Sequence, residues 1–201
     1  MITIYGTNQC RYCVACKEAY DTQRVEYEFV ELLDDLQLLK QYINLRDTLE
    51  IYEGIQGTGK LGIPLIKCDD EYTRDWKKYL PKRLDNIVKA VIVHDDKLLV
   101  KKTDGSICLP GLIVNPGEYL DEELREYLRE NGIQANVTDK LDTLNIEKAE
   151  SFTSIKSYRC ILENTIDLKK TYQWIEINKL EEVDFQTADE QIINREFTRN
   201  K

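Results

Sequence analysis

Residues 2–16 read ITIYGTNQCRYCVAC, and this stretch decides how the N-terminal half folds. Its first five residues alternate and begin with the β-branched Ile2, Thr3 and Ile4, which predicts a short strand. The run after Cys13, VACKEAYDTQ, has helical composition. A strand therefore delivers Cys10 and Cys13, in C-x-x-C spacing, to the start of a helix. Unpaired backbone N–H groups at a helix N-terminus stabilise negative charge, which favours a thiolate at Cys10. Cys13 lies one turn further on, within reach of a mixed disulfide formed at Cys10. A C-x-x-C placed between a strand and a helix indicates a redox-active dithiol.

Working outward, YEFVEL (27–32) reads as a second strand and DDLQLLKQYINLRDTL (34–49) as a helix whose apolar face is Leu36, Leu38, Leu39, Tyr42 and Ile43. A glycine-rich loop, GIQGTGKLG (54–62), leads to IPLIKC (63–68), a third strand that starts at a proline. EYTRDW (71–76) is a candidate partner strand, and WKKYLPKRL (76–84) reads as a helix broken by Pro81. This order makes an α/β sandwich over residues 1–84. Pro64 is either a cis proline packed against the dithiol or an ordinary trans proline at a strand edge. Gly54, Gly59 and Lys60 imitate a phosphate-binding loop, but Leu61 stands where the magnesium-ligating hydroxyl belongs. That stretch reads as a flexible loop.

The runs ITIYGTNQCRYC, EYEFVEL, INLRDTLEIYE and GKLGIPLIKCDD resemble the glutaredoxin-related proteins, which have the thioredoxin fold. The resemblance implies Cys10 as nucleophile, Cys13 as resolving thiol and Pro64 as the cis-proline of the active site. Tyr12 matches the tyrosine of the common Cys-Pro-Tyr-Cys form, while Arg11 replaces its proline and sets a cation beside the thiolate. Tyr12 and Ile63 are the candidate contacts for a thiol cofactor. Cys68-Asp69-Asp70-Glu71 replaces the Gly-Gly-Asp turn that holds glutathione in ordinary glutaredoxins, which puts glutathione binding in question. Cys16 has three readings: a third thiolate of a zinc or iron–sulfur site, an auxiliary redox thiol, or a packing residue. Metal sites of that kind usually want four ligands, and neither a fourth cysteine nor a histidine is close in sequence. The isolated Cys68, Cys108 and Cys160 read as packing residues.

The pattern restarts after a boundary near 81–86. KAVIVHDDKLLVKK (89–102) reads as two strands around a turn at His94–Lys97, LPGLIVNPGE (109–118) as turn-rich, and DEELREYLRENG (121–132) as a helix that stops at Gly132. Strands follow in ANVTDKLDTL, SFTSIKSYRCIL and TYQWIEI, and TADEQIINREF (187–197) is a polar helix. Glu122, Glu126 and Glu130 share one face of the central helix. They form either a solvated acidic face or a site for magnesium and phosphates.

Residues 109–133 resemble the box of the Nudix family. Leu109-Pro110-Gly111 and Pro116-Gly117-Glu118 match its approach, and Arg125-Glu126 with Glu130 and Gly132-Ile133 match its end. The resemblance implies a Nudix-like α/β/α fold over residues 86–201. The departures fall on the chemistry: Leu112 replaces the second glycine, the segment between Glu118 and Arg125 is one residue short, and Arg129 replaces a glutamate. Glu126 and Glu130 remain as candidate metal ligands. A guanidinium among them repels a divalent ion by several kcal/mol before screening, so the resemblance implies a hydrolase box that is degenerate.

Composition bounds what is left. The chain has 201 residues with 28 Lys and Arg against 37 Asp and Glu, a formal net charge of −9. Residues 1–84 carry 12 basic and 14 acidic groups, and the remainder 16 and 23, so most of the charge belongs to the second half. Such acidity excludes a general nucleic-acid or anionic-membrane binder. The mean hydropathy is −0.50, and no apolar run approaches the roughly 18 residues of a spanning helix. The single histidine, His94, removes every scheme that needs two. The start MITIYG lacks the basic-then-apolar pattern of a secretory signal, so the expected location is cytoplasmic.

The leading expectation is a thiol-disulfide oxidoreductase acting on protein or low-molecular-weight disulfides. It has no tightly bound cofactor, has glutathione as a candidate reductant, and needs Mg2+ only where the Nudix site is active. The alternatives are a nucleotide-binding redox sensor, a Nudix-type pyrophosphohydrolase with a regulatory redoxin domain, and a metal-binding module on the three clustered cysteines.

Overall fold

In a computed structural model, residues 1–164 and 168–198 are described. The chain divides into two units. One is Met1–Leu84 with Pro116–Glu118 and Ala149–Ser151, and the other is Asp85–Asn115, Tyr119–Lys148 and Phe152–Lys201.

In the first unit the alternating residues of β1 (Ile2–Gly6) pair in parallel with β2 (Tyr27–Glu31) and antiparallel with β3 (Leu65–Cys68), and β3 pairs antiparallel with β4 (Glu71–Thr73). The sheet order is β2-β1-β3-β4. Period-two alternation sends Ile4 and Ile66 to one face, where they meet Cys16, Ala19 and Tyr20 of α1 (Arg11–Thr22). Tyr5 and Leu65 go to the other face, against Tyr42 of α2 (Leu36–Thr48) and Tyr52. Asp35 caps α2 by accepting from the Gln37 amide, as an N-cap carboxylate should.

The helix expected over 76–84 is absent. Trp76–Tyr79 forms one 3-10 turn, and Arg83 already begins β5 (Arg83–His94). Leu80, ahead of Pro81, is extended with ψ 131°, as proline requires of its predecessor. The Gln23 amide then grips the Lys82 backbone at both ends, with Lys82 N–H donating at 2.9 Å and Lys82 C=O accepting at 3.2 Å. Those are the groups a continuing helix would need.

In the second unit β5 and β6 (Lys97–Thr103) join through Asp95 and Asp96, both at positive φ, the geometry of a tight hairpin turn. The sheet runs β11-β6-β5-β10-β9, with β7 (Ser106–Cys108) on β6 and β8 (Gly111–Val114) on β5. β9 is Ala135–Glu147, β10 Ser151–Leu162 and β11 Tyr172–Glu176. Val88, Ala90 and Ile92 face α3 (Leu120–Glu130) through Leu124 and Leu128. Val91, Leu98 and Val100 face α4 (Thr187–Thr198) through Ile192 and Ile193. A sheet covered by a helix on each face is the α/β/α layering expected from the sequence. The turn-rich reading of 109–118 needs correction, because Gly111–Val114 is a strand paired with Asn86–Lys89. Gly111 permits this pairing: a Cβ there would lie 2.3 Å from the Val88 carbonyl oxygen.

Candidate functional site

Cys10 occupies the N-cap of α1 with φ −96° and ψ 114°. Its amide donates to Thr7 O at 3.0 Å, and its carbonyl accepts from Val14 N–H at 3.0 Å. The Cys10 side chain is half-buried, whereas Cys13 and Cys16 are fully buried. The turn thus presents one thiol and hides the next.

Burial pushes the Cys13 thiol up to about 12; the Thr7 backbone opposes this, while Cys10 and the Glu31 carboxylate add to it. Burial also raises Cys16, with Cys13 adding to the effect. Cys16 packs among Ile4, Tyr20 and Ile66. Among the described residues no three His, Cys, Asp or Glu side chains converge to hold a metal ion. Tyr12, beside Cys10, is 37% exposed, with the Arg11 guanidinium 5.3 Å from its ring centroid. The peptide between Ile63 and Pro64 is cis. β1 and β3 pair Tyr5 with Leu65, so one step further the register sets Pro64 opposite Gly6.

Three supporting features were missed from sequence. Gly6 is one: a Cβ there would meet Cys13 Sγ at 2.7 Å, so only glycine lets the strand end against the buried thiol. A glycine closing a β-branched run is the signal that could have found it. Glu31 is the second. Its carboxylate accepts from Asn8 N–H at 2.7 Å and Leu33 N–H at 3.3 Å, so it fixes the turn that leads into Cys10. Desolvation raises this carboxyl, but the Thr7 hydroxyl, the Asn8 and Leu33 amides and Lys17 outweigh it and hold it below the usual range. The third is a tyrosine pair, Tyr42 and Tyr52, whose hydroxyl oxygens lie 3.0 Å apart under the loop before Pro64.

The second candidate site is built on α3. Leu124 and Leu128 turn inward, while Glu122, Glu126 and Glu130 are exposed. The Arg129 guanidinium donates to Glu126 Oε1 at 3.0 Å, so one candidate ligand already has a cation. The strand ahead of this helix is anchored from α4: fully buried Asp189 accepts from Lys89 Nζ and from the Leu109 amide, each at 3.1 Å. Burial raises the Asp189 carboxyl, against the Lys89 charge and the Leu109 amide. Among the isolated cysteines, Cys108 and Cys160 are buried packing residues as expected, while Cys68 is only half-buried.

Comparison with known proteins divides along the same line. Residues 2–72 match the family model for glutaredoxin. No curated protein matches the chain. Among solved structures, the MutT protein of Methanosarcina mazei Go1 superposes with a TM-score of 0.51 and 22% identity, covering 61% of this chain and 99% of that one. The DNA mismatch repair protein MutT, a Nudix-family hydrolase from methicillin-resistant Staphylococcus aureus 252, gives 0.50 and 26%, covering 59% and 98%. The ORF135 protein of E. coli gives 0.52 and 18%, covering 59% and 92%. The chain therefore joins two different α/β folds. It carries a glutaredoxin domain at residues 2–72, followed by a Nudix-like fold. Among the described residues no helix is long and apolar enough to cross a membrane.

Proposed function

We propose that the chain is a thiol-disulfide oxidoreductase organised as a redox domain over residues 1–84 and a Nudix-like module over 86–201. The observation that carries this reading is the asymmetry of the dithiol: Cys10 is reachable at the helix N-cap while Cys13 is buried one turn behind it. In the reaction, the Cys10 thiolate attacks one sulfur of a substrate disulfide. A Cys10–substrate disulfide forms and the other substrate sulfur leaves as a thiolate, which takes a proton. The Cys13 thiolate then attacks Cys10 Sγ, releasing the second substrate thiol and leaving a Cys10–Cys13 disulfide. Two electrons pass from the dithiol to the substrate, and two molecules of an external thiol such as glutathione return them, ending joined as a disulfide. We assign Pro64, Tyr12 and Ile63 to binding the substrate or the reducing thiol, and Cys16, buried among Ile4, Tyr20 and Ile66, to packing. The test is reduction of insulin disulfides by the full chain: wild type turns over, Cys10→Ser does not, and equal activity in the two proteins would overturn the reading.

For the second module we propose loss of magnesium-dependent hydrolysis. Arg129 against Glu126 favours this, because a cation bonded to one of two remaining ligands opposes a second, divalent one. The residues present do not fit the metal, and no catalytic step is assigned to it. The module is read as a ligand-binding or regulatory unit, with a nucleotide as candidate ligand. Assays with nucleoside triphosphates and ADP-ribose in Mg2+ should show no turnover. Turnover that disappears in Glu126→Gln would overturn this part.

A further inference from the structure

Lys60, Leu61 and Gly62 lead directly into Ile63 and Pro64. The carbonyl of each is taken by a different side chain. Arg46 Nη1 donates to Lys60 O at 3.0 Å, Tyr42 OH to Leu61 O at 3.0 Å, and Tyr52 OH to Gly62 O at 2.9 Å. Tyr42 and Arg46 are four residues apart on α2 and so share one face. The two hydroxyl oxygens are also 3.0 Å from each other. Two hydroxyl protons thus serve three oxygen contacts, which makes the pair interdependent.

Tyr42 and Tyr52 are buried, and Gly62 sits at φ +74° with the Tyr52 ring where its Cβ would be, 2.5 Å away. The loop just upstream is different. Gly54, Gly57 and Gly59 also have positive φ, but a Cβ at any of them would meet nothing within 4 Å. From residue 60 onward, side chains from α2 and from Tyr52 grip the backbone carbonyls in succession. What they fix is the approach to Pro64, which the strand register sets opposite Gly6, the residue whose Cβ would meet the Cys13 sulfur.

We propose that Tyr42, Arg46 and Tyr52 are positioning residues of the disulfide-exchange site. They hold the backbone of residues 60–62 so that a substrate disulfide seats between Cys10 and the Pro64 loop. This rests on the redox reading given above. None of the three side chains touches the reacting sulfurs; each acts through the loop, so its loss should weaken substrate seating more than the chemical step.

The test is single-turnover reduction of a cystine-containing peptide by the pre-reduced full chain, with peptide concentration varied to separate half-saturation from limiting rate. A hydrogen bond contributes about 0.5–1.5 kcal/mol net, so Tyr42→Phe and Tyr52→Phe should each raise half-saturation by about two- to tenfold. The limiting rate should change by less than about twofold, and the double variant should raise half-saturation by less than the product of the single effects, as expected for a shared network. Arg46→Gln should act in the same direction, and Arg46→Lys should recover most of the loss. If the tyrosine variants fold poorly, the Arg46 pair alone decides. Folded variants with wild-type half-saturation, or with only the limiting rate reduced, would overturn the assignment. A wild type that reduces no peptide disulfide would overturn the redox reading, and the positioning role with it.

Discussion

The turn before α1 and the helix α3 make an instructive pair. Each is reached through a loop that follows a strand, and each offers reactive groups along a helix, at the start of α1 in one case and in the later turns of α3 in the other. Around Cys10 the neighbouring residues accommodate the turn and its thiols. Gly6 leaves room for Cys13, Glu31 ties down the entering turn, and three side chains hold the facing loop. Around Glu126 the nearest specific partner is a cation that neutralises it. A motif of reactive residues becomes a site only when the residues that do no chemistry agree with it.

The sharpest way to break this comparison is to remove the key group from each side. Cys10→Ser should lower insulin-disulfide reduction by at least about a hundredfold, because an alcohol is not a thiolate nucleophile at neutral pH. Glu126→Gln in the same assay should leave the rate within about twofold. A large loss in Glu126→Gln would mean that the acidic helix participates in the redox cycle. Next in size is stability. Leu128, fully buried against Val88 and Ala90, should cost about 2–5 kcal/mol as Leu128→Ala, read by urea denaturation. Gly6→Ala should cost about 1–3 kcal/mol for forcing a Cβ against Cys13 Sγ, and unlike Leu128→Ala it should also slow disulfide reduction.

Much of this contrast was legible in the sequence, and the part that was not has a common cause. Strand alternation in ITIYG, the 3.6-residue period of DEELREYLREN and the C-x-x-C spacing are local signals, and the elements formed where those signals stood. The failures were at places governed by distant partners. The 76–84 stretch has helical composition, but Gln23 claims the backbone at Lys82 from the other end of the unit. LPGLIVNPGE reads as turn-rich for its prolines and glycines, yet Gly111 is the residue that lets Gly111–Val114 lie against β5. Tyr42 was read as one residue of an apolar stripe. Its ring is buried as that reading requires, but its hydroxyl serves a carbonyl nineteen residues on. Sequence periodicity reports which face a side chain is on and nothing about the polar atom at its tip.

A smaller effect separates the two cysteines themselves. Burial holds the Cys13 thiol protonated up to about 12, so its thiolate fraction, and with it the resolution step, should rise about tenfold per pH unit between roughly pH 6 and 9. The same shift fixes the sign of a stability effect. A thiol whose pKa is raised by folding stabilises the fold fully below its unfolded value, and that contribution fades as pH climbs from there towards 12. Mixed-disulfide lifetimes measured across that range with a peptide substrate check the first statement. A flat profile would place Cys13 in a solvated or charge-stabilised setting, in conflict with its burial.

The smallest expected effect tests the other half of the comparison by repair. In Arg129→Glu the guanidinium that bonds Glu126 is replaced by a third carboxylate beside Glu126 and Glu130 on the exposed face of α3. If the cation is what defeats the box, the variant should bind Mg2+ weakly where wild type does not. Free Mg2+ at about ten times its dissociation constant would then stabilise the variant by about 1.4 kcal/mol, seen as a rise in Tm that wild type lacks. Calcium at matched ionic strength distinguishes coordination from screening of the acidic face, because screening would act on both proteins and with either ion. An equal Mg2+-dependent rise in wild type and variant would show that Arg129 does not block the site. A rise in neither would locate the loss in the shortened approach between Glu118 and Arg125, where the backbone, rather than one side chain, sets the distance from the loop to the helix.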